Sequence, residues 1–130
     1  MNHTPRYLLI DDDESFQKIV ERAASEMNIS VRSVSSIKEI PDLKLLALFD
    51  AIFLDYDLDD GTGFEVAELL KKEAEGKPIV MVSSTNRPYQ DKLGALPNII
   101  GFVSKWAKPR DFMLNALGVV ENRPGIKVAA

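Results

Sequence analysis

Five residues in this chain could do chemistry together if the fold brought them to one place. Asp11 and Asp12 follow the apolar run Tyr7-Leu8-Leu9-Ile10, Asp55 follows Ala51-Ile52-Phe53-Leu54, Ser83 ends Pro78-Ile79-Val80-Met81-Val82, and Lys105 follows Ile99 to Ser104. Converging carboxylates repel: unit charges about 4 Å apart interact by roughly 4 kcal/mol at an effective dielectric of 20. Such a group needs protons, a basic neighbour or a hard cation. Oxygen ligands without thiolate or imidazole suit Mg²⁺, Mn²⁺ or Ca²⁺ rather than zinc. An ammonium adds a compact charge that can bind phosphate, and a hydroxyl adds a small donor. Carboxylate, divalent cation, alcohol and amine form a set suited to phosphoryl transfer onto an aspartate, with the aspartate as nucleophile.

Other chemistries are thinly supplied. There is no cysteine, so disulfides, thiolate metal sites and a thiol nucleophile are excluded. The one histidine, His3, lies near the start of the chain, where a His-centred triad or a phosphohistidine carrier is not expected. The longest apolar run, Leu45-Leu46-Ala47-Leu48-Phe49, is too short to span a bilayer. Met1 to Arg6 lacks the apolar stretch of a signal peptide, and a cytoplasmic location is expected. Net charge is −4, with 17 acids against 8 bases in residues 1–75 and 3 against 8 in residues 76–130. The bases of the second part are scattered singly, so direct nucleic-acid binding is not expected.

The elements that must position these residues alternate along the chain. Strands are expected at Tyr7–Ile10, Ile29–Val34, Ala51–Leu54, Pro78–Val82 and Ile99–Val103. Helices are expected at Glu14–Met27, Ser36–Phe49, Phe64–Glu75, a short one at Tyr89–Leu96 between Pro88 and Pro97, and Pro109–Val120. Near-continuous apolar strands separated by helices point to a parallel sheet buried on both faces. In such α/β folds, ligands bind beyond the carboxyl ends of the strands. The polar residues named above collect there. The 130 residues make one domain, expected over 1–124, with 125–130 as a frayed tail.

Plainer readings stand beside the sharp one. Asp11-Asp12-Asp13 could simply open a helix, where acids suit the first turn, and Asp13 itself reads as a cap. Ser83 could be a polar loop residue, Lys105 a surface cation and Phe102 ordinary core. Asp55, Asp57 and Asp59 match positions 1, 3 and 5 of an EF-hand loop, but Asp60 stands where that loop needs glycine and Val66 where it needs glutamate.

Taken in order, Leu8 to Glu14, Phe53 to Leu58, Gly63, Ile79 to Ser84 and Gly101 to Lys105 resemble the receiver domain of two-component response regulators, over roughly residues 6–121. The resemblance implies a doubly wound, flavodoxin-like α/β fold with a five-stranded parallel sheet in the order 2-1-3-4-5 and five helices, the fourth short or irregular. It implies a signalling switch rather than a metabolic enzyme. Asp55 would accept a phosphoryl group from a sensor histidine kinase or a phosphotransfer protein. Asp12 would bind Mg²⁺ directly and Asp11 mainly through water, with Asp55 and the backbone carbonyl of Asp57 completing the protein's ligands. Ser83 and Lys105 would hold phosphoryl oxygens, and Phe102 would change rotamer with Ser83. Output would pass by contact to an unnamed downstream protein.

The chain departs from that pattern at Trp106, where proline usually follows the lysine. It departs also at Ser84, where alanine or glycine is preferred, at Asp59, and at the prolines bounding the fourth helix. The Lys105 loop is therefore expected to be built differently. These departures keep open a receiver-like interaction module that has lost phosphate cycling. Asp55-x-Asp57 after an apolar strand also resembles the haloacid-dehalogenase phosphotransferases, which carry the motif earlier in a longer chain.

Overall fold

The apolar runs do form strands, and their pairing fixes where every polar strand end lies. A computed structural model of the chain describes residues 4–58, 61–73, 76–84 and 96–121. Its main strands are β1 (Arg6–Ile10), β2 (Ser30–Val34), β3 (Ala51–Asp55), β4 (Ile79–Ser83) and β5 (Ile99–Ser104). All pairs are parallel and the order is β2-β1-β3-β4-β5. This is the expected doubly wound arrangement. β3 and β4 are buried at all five positions, as central strands covered on both faces must be. β2, at the edge, keeps the alternating half-exposed pattern its sequence shows.

Alternate residues of the strands feed two apolar layers. Leu8, Ile10, Ile52, Leu54 and Met81 pack with Phe64, Ala67 and Leu70 of α2 (Gly63–Glu73). Leu9, Phe53, Val80 and Val82 pack with Val20 and Ala24 of α1 (Glu14–Glu26) and with Phe112, Met113 and Ala116 of α3 (Pro109–Glu121). Fully burying one such side chain contributes about 1.5–3 kcal/mol. α1 starts at Asp13, whose Oδ1 accepts from the Phe16 amide at 3.1 Å, confirming its reading as a cap. Asn28, with φ +58°, turns the chain out of α1 into β2.

The helix expected over Ser36–Phe49 is instead two 3₁₀ segments, Ile37–Glu39 and Leu43–Leu48. Pro41 has no amide to donate and disfavours a helical Ile40, which is extended at φ −93° and ψ 110°. Ser36 and Asp42 each cap a segment, accepting from the Lys38 and Lys44 amides. Val34, Ile37, Ile40, Leu43, Leu46 and Phe49 fall at every third residue and all pack against the α2 layer. That spacing matches three residues per turn, so a 3₁₀ path keeps every one of them inward.

The expected fourth helix, Tyr89 to Leu96, lies almost wholly outside the described residues, as do Asp59 and the tail from Asn122. Among the described residues no helix is long and apolar enough to cross a membrane.

Candidate functional site

Strand register assembles the site. Ile10 pairs with Leu54, so Asp11, one residue on, stands beside Asp55. Asp55 pairs with Val82, and Ser83 pairs with Ser104, which puts Lys105 at the same edge. A slip of one residue would turn each of these side chains to the opposite face.

Asp11 and Asp55 are buried, at 0% and 2% exposure, and Asp12 is half-buried. One carboxylate oxygen from each of the three lies within 4.8 Å of the others. Lys105 reaches this group despite Trp106 behind it. Its Nζ lies 2.9 Å from Asp11 Oδ2, 3.2 Å from Asp11 Oδ1 and 3.6 Å from Asp55 Oδ2. The Lys105 amide donates to the Ser83 carbonyl at 2.9 Å, and no peptide bond among the described residues is cis. Backbone donors complete the wall: the Asp13 amide binds Asp11 Oδ1 at 2.8 Å, and the Asp57 amide binds Asp55 Oδ1 at 3.2 Å. Gln17 Nε2 donates to the Asp11 carbonyl and to Ser35 Oγ, which ties the Asp11 turn to α1 and to the residue that follows β2.

The electrostatics follow from burial. Desolvation, then the neighbouring Asp11 charge, push the Asp55 carboxyl up to about 7 against the opposing pull of Lys105. Asp11 is raised too, first by burial, although the Asp13 amide and Lys105 lower it. Burial works against a charged Lys105, yet its hydrogen bond to Asp11 and the charges of Asp11 and Asp55 outweigh that, and its pKa is raised. The ammonium is thus the counter-charge of two buried acids. Asp11 Oδ2 is buried and close to Nζ, yet has no aligned hydrogen bond. Such an oxygen, in an all-oxygen donor set, fits a hard cation such as Mg²⁺.

Other expected residues are placed as follows. Ser83 is buried, at 2% exposure, at the end of β4. Phe102 is half-buried and packs against the α2 layer. The Asp57 side chain is exposed and takes a long contact, 3.4 Å, from Ser84 Oγ. Asp57 and Leu58 pair antiparallel with Gly61 and Thr62 in a short ladder that returns the chain to α2. Gly63 opens that helix against the Asp55 turn, where a Cβ would lie 2.6 Å from the Asp55 carbonyl oxygen. Two neighbours were not legible in the sequence. Phe16, in the first turn of α1, carries Lys105 Nζ 4.8 Å from its ring centroid. The cap at Asp13 was the available signal, since it fixes the first turn of α1 beside the acids. Trp106 Nε1 donates to the Ser84 carbonyl at 2.8 Å, and no motif announces that contact.

Comparison with known proteins agrees with this fold. A family model described as the response regulator receiver domain matches residues 7–116. The cell cycle response regulator CtrA of Brucella ovis is 32% identical over 78 residues, which are 60% of this chain and 34% of that protein. The response regulator protein PilR of Pseudomonas aeruginosa is 25% identical over 77 residues, 59% of this chain and 17% of that protein. The chain thus spans less than half the length of these relatives. Among solved structures, the chemotaxis protein CheY4 of Vibrio cholerae has a TM-score of 0.76 at 22% identity, covering 91% of this chain and 99% of its own. A CheY-like receiver domain protein of Methanospirillum hungatei has a TM-score of 0.74 at 20% identity, covering 92% and 95%. The parallel sheet, its order and the family match lead to one conclusion: the chain belongs to the response regulator receiver domain family.

Proposed function

We propose that the chain is a phosphorylation-activated switch with Asp55 as the phosphoacceptor. The observation that carries this reading is the meeting of Asp11, Asp12 and Asp55 within 4.8 Å, with Lys105 Nζ among them. The donor is a phosphohistidine on a sensor kinase or phosphotransfer protein. An Asp55 carboxylate oxygen forms the new bond to phosphorus as the phosphorus–nitrogen bond breaks, and the electron pair leaves with the imidazole nitrogen. Asp11, Asp12, Asp55 and the Asp57 carbonyl would hold Mg²⁺. When bound, that ion supplies positive charge for the phosphoryl oxygens. Lys105 turns from the two acids toward the oxygens that Asp55 acquires, and Ser83 donates to another. The added group brings about −1.5 to −2 of charge. That charge biases the Ser83 and Lys105 segments and Phe102 toward a second arrangement, which a downstream protein reads by contact. Residues 1–124 form the single receiver unit in this reading.

Incubation with Mg²⁺ and acetyl phosphate tests it. The expected result is a mass gain of about 80 Da, absent in Asp55→Asn. No gain in the wild-type protein overturns the reading and favours the second one, an interaction module that no longer cycles phosphate. Trp106, 73% exposed where the family usually has proline, is the observation on that side. Repeated turnover of a phosphomonoester would instead indicate chemistry of the dehalogenase type.

A further inference from the structure

A chain of polar contacts runs from Asp55 to the ends of β4 and β5. The Asp57 amide binds Asp55 Oδ1, Asp57 Oδ2 meets Ser84 Oγ, and the Ser84 carbonyl accepts from Trp106 Nε1 at 2.8 Å. Trp106 in turn is fixed at its base, where its amide donates to Ser104 Oγ at 3.2 Å. The indole is 73% exposed, so packing contributes little to its position. Its single donor is directed instead at the backbone of the β4 end. Ser84 is the residue after Ser83, and the Ser83 carbonyl is already bound by the Lys105 amide. The β4 end is therefore held from two consecutive residues of the β5 loop, Lys105 by its backbone and Trp106 by its side chain.

From this geometry we infer that Trp106 is a positioning residue that gates Asp55: its indole N–H holds the Ser83–Ser84 segment in place and so limits how fast a phosphoryl donor or water reaches the carboxylate. The inference rests on Asp55 being the phosphoacceptor. Asp55 is 2% exposed, so a donor or water that reaches it needs neighbouring residues to move, and the β4 end beside it is the segment that Trp106 holds. A gate of this kind raises the barrier in both directions. A residue that merely supports the fold would slow uptake when removed.

The test compares the wild-type chain with Trp106→Phe, which keeps a ring and loses the donor, and with Trp106→Leu. Uptake from acetyl phosphate and loss after donor removal are followed by mass. Both rates are expected to rise by about two- to tenfold in both variants, the weight of one ordinary hydrogen bond. In the wild-type protein the indole N–H is expected to exchange with water more slowly than that of free indole, by proton NMR. Slower uptake, unchanged rates, or an indole N–H that exchanges like free indole each overturn the gate. A wild-type chain that takes up no phosphoryl group defeats the Asp55 reading and the gate with it. Normal uptake with unchanged variant rates defeats the gate alone.

Discussion

Asp55 carries a cost that the folded chain tolerates for the sake of its site. Its carboxyl is pushed up to about 7 by burial and by Asp11, whereas in an unfolded chain it titrates near 4. Between those values the folded protein holds the extra proton, so stability falls as pH rises from about 4 to about 7 and then levels off. Asp11, raised in the same direction, adds to the slope. Thermal melts across that window should show the decline. Asp55→Asn should flatten it and stabilise the protein at pH 7.5 by about 1–3 kcal/mol. A variant as pH-sensitive as the wild type would contradict this account. Asp11, Asp12, Asp55, Ser83 and Lys105 were legible because each ends an apolar run, and a parallel sheet sends all such ends to one edge. The Trp106–Ser84 contact was not. It joins residues 22 positions apart through a side-chain rotamer and a loop path, and neither leaves a periodic trace.

Glycine contacts distinguish two kinds of close approach between elements. At Gly63 a Cβ would meet backbone, the Asp55 carbonyl at 2.6 Å and the Tyr56 Cα at 2.9 Å. Met81 Sδ at 3.0 Å could give way, but the two backbone atoms cannot, so Gly63→Ala should destabilise by about 3 kcal/mol and shift Asp55 as well. At Gly101, beside the irregularity in the β4–β5 register, a Cβ would meet the Val119 side chain at 2.6 Å. Gly101→Ala should cost about 1–3 kcal/mol, and adding Val119→Ala should recover part of it. Denaturant unfolding of the four proteins, the wild type included, checks both; recovery is expected at one position only. The strands and α1, α2 and α3 were readable from apolar patterning. The Ser36–Phe49 stretch was not, because apolar residues three apart satisfy an α-helical stripe locally. Only Pro41 and the unbroken run of threes separate that from a 3₁₀ path.

Across the whole molecule, protection should follow the sheet order. β3 and β4 are buried throughout and paired on both sides, whereas β2 has one neighbour and an exposed pattern. Amides of Ile52–Leu54 and Val80–Val82 should therefore exchange only through global unfolding, and those of β2 markedly sooner. Equal protection in β2 and β4 would refute this. The same topology has a consequence for how the protein is made. Asp11 and Lys105 touch across 94 positions of sequence. A ribosome must extrude the chain through Lys105 before that contact can close. A nascent domain that stops short of β5 therefore lacks the ammonium that offsets its two buried acids.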